Sequence, residues 1–341
     1  MAVFPSVSVK IPNGLTSPNV RAYAAGISRQ VTNRAVVRAD YSYRDYHDFY
    51  SQRIDTTTGT VSDQFGNKSD LAIVENTNAL KREYHGLTIS STYRVSSGTS
   101  VGGNYTLSRL WGNFDGEGAG GPVATDLFQY PEYRQQSWYA PTGDLSADER
   151  HRATMWVNHG VHGVTGLTLS VLETLGSGLP YGAVGPINAQ PFVTNPGYVT
   201  PQGASSENYY FTNRDAFRTQ GFSRTDFSAS YNHGASSGPR KVVLFIQAQI
   251  LNVFNQQDLC GCGQNVFASG GILQLNTISG GTPGQSVLTP LNTATLARFN
   301  PFTTTPVQGV NWNLSPAFGT PTNRFAYDSP RELRLSFGVR F

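Results

Sequence analysis

The last ten residues, ELRLSFGVRF (332–341), alternate without a break. Leu333, Leu335, Phe337, Val339 and Phe341 take one parity, and Arg334, Ser336, Gly338 and Arg340 the other. Neighbouring side chains of an extended chain point to opposite faces, so the decad reads as a strand with one wholly apolar face and one polar face. Chain ends are ordinarily frayed and polar. This one keeps its pattern through to a phenylalanine.

Eight further stretches carry the same period of two. Tyr23, Ala25 and Ile27 alternate with small residues over 21–30. Val37, Ala39, Tyr41 and Tyr43 oppose Arg38, Asp40, Ser42 and Arg44 over 36–46. Leu87, Ile89 and Tyr93 oppose Thr88, Ser90, Thr92 and Arg94 over 86–95, and Val101, Tyr105 and Leu107 oppose Asn104, Thr106 and Ser108 over 100–111. Weaker alternation covers 152–161 and 166–175. It sharpens where Phe227, Ala229 and Tyr231 oppose Asp226, Ser228 and Ser230, and where Leu244, Ile246, Ala248 and Ile250 oppose Gln247 and Gln249. No amphipathic helix of useful length competes with these nine strands.

Composition agrees. In 341 residues the charged fraction is 14% and the apolar fraction only 38%, while Gly (36) and Tyr (17) are abundant, which is the make-up of strands and turns. No run approaches 18 apolar residues, so no transmembrane helix is expected, and the N-terminus shows no signal peptide. A net charge of +3 without a Lys/Arg cluster gives no reason to expect a nucleic-acid partner.

The connections are asymmetric. Short ones (RQVTNRA, SSGTS, HGVTG, NHGASSGPR) alternate with long ones over about 47–83, 112–150, 176–221 and 255–330. Outer-membrane barrels have this pattern, with short turns on the periplasmic side, long extracellular loops, and strands of about 9–11 residues. The expected fold is therefore an all-β, antiparallel up-and-down transmembrane β-barrel segment, integral to a bacterial outer membrane. Tyr46, Tyr84, Trp111, Phe222 and Phe254 are expected at the outer rim and Tyr93, Tyr231 and Phe341 at the inner rim, as two aromatic girdles. Single-chain barrels have even strand numbers. Nine strands ending in the periplasm thus predict that residues 1–341 are the C-terminal portion of a longer barrel.

The stretches SPNVRAYAAGISRQVTNRAVVRADYSYRDYHDFY, REYHGLTISSTYRVSSGTSVGGNYTLSRLWGN, DERHRATMWVNHGV, LETLGSGLPYG, QILNVFNQ and RELRLSFGVRF, in this order and spacing, span nearly the whole chain. Together they resemble the C-terminal barrel half of TonB-dependent outer-membrane receptors, in particular the Oar-like branch. The resemblance implies a 22-stranded barrel occluded by a plug. It also implies import of a scarce nutrient such as a siderophore, oligosaccharide or peptide, energised by TonB with ExbB and ExbD. The plug, the TonB box and the N-terminal regulatory-like domain are absent from this sequence. The resemblance further implies that the terminal strand (Leu333, Leu335, Phe337, Val339, Phe341) is what the barrel-assembly machinery recognises. Rival readings are a passive porin-like barrel, or a secreted soluble β-sandwich adhesin or carbohydrate-binding protein.

Alternation sends Arg38, Asp40, Arg44, Arg94, Asp226, Gln247, Gln249, Arg334 and Arg340 to the inside, where they would face a plug or line the path of an unidentified ligand. No catalytic, metal or cofactor site is expected. His151 and His159 lack an HExxH context, no G-x-S-x-G elbow occurs, and GGTPGQS lacks the lysine of a phosphate loop. Cys260 and Cys262 leave three readings open: a small loop disulfide, a metal site, or unpaired structural residues. His47 and His85, at the outer ends of neighbouring strands, suggest a ligand-capture pair, but His47 follows the lipid-facing set of Tyr41 and Tyr43, and rim histidines read as interfacial polar groups.

Overall fold

A computed structural model describes residues 8–116, 128–199, 207–237, 240–258, 278–279, 297–314, 327 and 329–340. Nine long strands stand where the alternation places them. They are β1 (Asn19–Thr32), β2 (Ala35–His47), β3 (Arg82–Arg94), β4 (Thr99–Gly112), β5 (His151–Gly160), β6 (Leu167–Gly176), β7 (Phe222–Ser237), β8 (Arg240–Leu251) and β9 (Glu332–Arg340). Each pairs antiparallel with its sequence neighbours in one continuous meander, to which the two-residue strand Gly143–Asp144 adds beside β4. The tight turns all lie at one end of the sheet, the turn end, and the long connections at the other, the loop end.

The register slips steadily across the sheet. Direct strand partners lead from Ala35, at the turn end of β2, through Tyr93, Val101, Val157, Val171, Phe227 and Ile250 to Leu333, at the loop end of β9. Relative to the loop ends of the strands, that row climbs by about eleven residues in seven strand steps. At a rise of about 3.3 Å per residue and a spacing of about 4.8 Å, the strands lean about 45° from the perpendicular to the plane of their loop ends. A closed barrel requires a lean and stagger of this size.

One face of the sheet is apolar and uncovered. Ile27, Tyr41, Ile89, Tyr105, Met155, Val157, Val171, Ile246, Leu335 and Phe337 share it, with Ile27 72% and Phe337 86% exposed. The other face is lined by Ser, Thr, Asn, Gln and Arg.

The buried core lies elsewhere. Apart from Leu110, every buried hydrophobic residue described belongs to a long connection. Phe49 and Leu80 from the first connection pack with Phe114 and Tyr139 from the second. Ile54, Ala72, Tyr130, Tyr133 and Tyr198 tie the first three together. Trp138, Ile187, Ala189 and Phe299 join the second, third and fourth, and Ala183 with Trp312 the third and fourth. The long connections therefore form a folded layer on the loop end, with its own short ladders. Phe49–Ile54 pairs with Ala72–Thr77, and Val184–Ile187 with Glu207–Tyr210.

The aromatic girdle needs correcting at its outer rim. Tyr46, Tyr84 and Phe222 share the parity of the polar face, where Arg82, Arg44 and Arg152 lie over their rings at 5.6, 5.9 and 6.0 Å. Sequence position put these aromatics near the rim, but parity decides which way a rim residue faces. Trp111, Tyr93 and Tyr231 do take the apolar parity. Phe341 lies outside the described residues.

Candidate functional surfaces

The polar face brings together all nine residues that alternation assigned to the inside, and three of its strands repeat one device. On β2 the Arg38 guanidinium donates to both carboxylate oxygens of Asp40, at 2.5 and 2.8 Å. On β7 Arg224 grips Asp226 (Nη2 to Oδ2, 2.7 Å), and on β9 Arg334 grips Glu332 (Nε to Oε1, 2.7 Å). Residues two apart on a strand share a face, so each acid is satisfied within its own strand. Gly26 stands opposite Asp40 on β1, in space a Cβ would take from the carboxylate.

Between these pairs much of the face is hydroxyl and amide. Gln247 donates to Ser228 Oγ at 3.4 Å, and Gln249 stands in register with both Ser228 and Arg334. Trp156 lies over Gly102 on the neighbouring strand, with its ring 2.5 Å from where a Cβ would sit. Arg44 and Arg340 lie over Tyr84 and Phe245, and Arg94 closes β3 at the turn end. Sequence reasoning missed Arg82, Arg152 and Arg224, which share this face. Carrying the parity of Thr88, Thr154 and Ser228 back to the strand ends would have found them.

The terminal strand pairs with β8 along its whole length, from Leu251 opposite Glu332 to Val243 opposite Arg340. Its other edge, like that of β1, has no strand partner among the described residues. Cys260 and Cys262, with Phe341, fall outside those residues. Among the described residues no group of three or more His, Cys, Asp or Glu side chains could hold a metal ion. His47 and His85 are not brought into a joint site. His85 Nδ1 is 2.9 Å from the Tyr41 hydroxyl, while His47 Nε2 lies 2.8 Å from Asp45.

Where the loop layer meets the sheet, two carboxylates gather three arginines. Asp144 accepts from Arg109 (2.8 Å), Arg150 (2.7 Å) and Arg218 (2.9 Å). Asp148, whose side chain is fully buried, accepts from Arg150 (3.0 Å), Arg218 (2.6 Å) and the Leu110 backbone N–H (2.6 Å). Burial pushes the Asp144 carboxyl up, but the guanidinium groups outweigh it and hold the carboxyl below the usual 3.8. Elsewhere in the layer, burial and then the hydrogen bond to Glu132 (2.5 Å) push the Tyr198 hydroxyl far up.

The stretch QILNVFNQ forms a second clasp. Asn252 and Asn255 both adopt left-handed backbone, at φ 53° and 52°, which asparagine tolerates better than most residues. The Asn252 amide donates to the carbonyls of Gln256 and Ser329, while Asn255 Oδ1 accepts from the Arg331 N–H. The start of the fourth connection is thereby tied to the start of β9.

No family model and no curated protein matches the chain. Among solved structures, 74% of the chain is similar to 31% of the outer membrane transporter YddB of Escherichia coli, at 14% identity and a TM-score of 0.45. For the FrpB iron transporter of Neisseria meningitidis the shares are 73% and 29%, at 12% identity and a TM-score of 0.40. For the ferripyoverdine receptor of the outer membrane of Pseudomonas aeruginosa they are 74% and 25%, at 10% identity and a TM-score of 0.40. The chain thus spans between 25% and 31% of the length of these three proteins.

Proposed function

We propose that this chain is part of the membrane-embedded wall of an outer-membrane transporter of the TonB-dependent kind its sequence resembles, working in energy-coupled uptake of a scarce nutrient. The observation that carries the reading is the uncovered apolar face running through nine tilted strands. In water, so much contiguous apolar surface is an aggregation liability, whereas in hydrocarbon it is the required exterior. The polar face then turns to the interior, and the folded loop layer lies on the side from which a ligand arrives. The edge of β9 and its apolar parity suit recognition by the barrel-assembly machinery through strand addition. TonB, ExbB and ExbD would act through the remainder of the transporter.

The test compares two adjacent positions. In a Cys260→Ser, Cys262→Ser background, a single cysteine at Leu335 or at Ser336 carries a fluorophore, and the chain is folded into vesicles of brominated lipid. Quenching at Leu335→Cys but not at Ser336→Cys is the expected result. Equal labelling of both from water, with the protein soluble without detergent, would favour the sandwich reading instead.

A further inference from the structure

The two faces of the sheet differ in charge as well as in polarity. Among the described side chains of β1–β9, the apolar parity carries three arginines (Arg21, Arg29, Arg109) and three carboxylates (Asp45, Glu83, Glu173). The polar parity carries eight arginines against only Asp40, Asp226 and Glu332. Each of those three acids is already held by an arginine two residues away on its own strand. Arg152 finds Glu149, just before β5, at 2.9 Å. Arg44, Arg82, Arg94 and Arg340 are left with no carboxylate in contact among the described residues.

These four stand at the two ends of the wall. Arg44 and Arg82 lie near the loop ends of neighbouring strands, and Arg94 and Arg340 at the turn end. Three of them rest on aromatic rings, over Tyr84, Tyr46 and Phe245 at 5.9, 5.6 and 4.6 Å. A ring orients a guanidinium without neutralising it. Between the two ends stand hydroxyls and amides, from Thr88 and Thr106 to Ser228 and Gln247, with Trp156 and the closed Arg38–Asp40 pair among them. A low-dielectric wall strengthens the field of such an uncompensated charge excess.

We propose that the polar face receives an anionic solute, one bearing carboxylate or phosphate groups, with the arginines that no carboxylate neutralises at either end as its points of entry and exit. This rests on the transporter reading above, because only an inward polar face makes these arginines part of a path. A guanidinium fork matches a carboxylate or phosphate in geometry as well as in charge.

The test uses the 341-residue chain in vesicles of zwitterionic lipid, first checked by flotation. The probes are the trisulfonated dye pyranine, a neutral coumarin, a cationic rhodamine and an acidic peptide, read by fluorescence anisotropy. Pyranine should bind at least about tenfold more tightly than the neutral dye, with the preference lost at high salt. The triple variant Arg44→Gln, Arg94→Gln, Arg340→Gln should lose most of that preference, while Arg21→Gln with Arg29→Gln on the apolar parity should hold it within about twofold. Equal effects of the two sets, no preference for pyranine, or binding of the acidic peptide alone would each overturn the proposal while leaving the transporter reading intact. Equal access of water to fluorophores at Leu335→Cys and Ser336→Cys in the same vesicles would bring down both.

Discussion

The nine-stranded sheet and the loop layer come from one chain of one composition, yet they keep their apolar residues in opposite places. In the sheet Ile27, Leu335 and Phe337 stand outward with nothing over them, while in the layer Phe49, Leu80, Phe114 and Tyr139 are sealed inside. The layer obeys the ordinary rule for a body in water, and the sheet obeys it only if its solvent is hydrocarbon. The contrast teaches that two parts of this molecule are built for two solvents, with Asp144, Asp148 and three arginines at the joint between them.

The sharpest way to break that contrast is to hollow out the layer. Phe114→Ala removes a ring that is 1% exposed and meets Phe49 edge-on at 4.7 Å, so the layer should lose about 3–5 kcal/mol. Limited proteolysis should then cut the connections while the strands in vesicles stay protected. Loss of the whole sheet together with the layer would show the two to be one cooperative unit.

The sheet answers to a different insult. Val157 lies mid-strand on the apolar face, and Val157→Arg should cost about 2–4 kcal/mol of folding into a bilayer. Asn158→Arg, one residue along on the polar face, should cost little. Folding yields measured by electrophoretic mobility would compare them, and equal costs would contradict a lipid-facing exterior.

Smaller effects sharpen the picture at the joints. Asn252→Ala leaves the carbonyls of Gln256 and Ser329 and the N–H of Gln256 without their partner, an expected loss of about 1–3 kcal/mol. Hydrogen exchange should rise at the start of β9 and leave β1 to β4 unchanged. Acid should have the mildest effect. The Asp144 carboxyl is lowered in the fold, so its contribution is complete above the ordinary value of 3.8 and is lost as the pH falls below it. Protease sensitivity of the second and third connections should therefore rise only in strong acid, and Asp144→Asn should remove that pH dependence.

Much of the sheet was legible because a strand with one apolar face writes a period of two into the sequence, and all nine strands wrote it. That the nine polar residues share one face followed from the same parity, since Arg38, Gln247 and Arg334 sit among hydroxyls in plain alternation. The loop core was not legible, because its contacts carry no period. Tyr198 reaches Glu132 across 66 residues and the Val199 N–H reaches Asp70 across 129, from stretches rich in Gly, Pro and Asn. Tyr46, Tyr84 and Phe222 show a narrower failure: nearness to a rim was legible, and facing was lost because parity was not carried to the strand ends.

The lean of the strands has a mechanical side. A pull normal to the plane of the loop ends resolves about equally into sliding strands past each other and opening their hydrogen bonds, because the strands lie about 45° from that direction. Upright strands would take the same load almost wholly as sliding, which hydrogen-bonded ladders resist best. Load entering at the turn end of β2 runs along the row of partners from Ala35 and emerges at Leu333, at the loop end of β9. The wall is thus a diagonal brace, stiff along a path that joins one rim to the other.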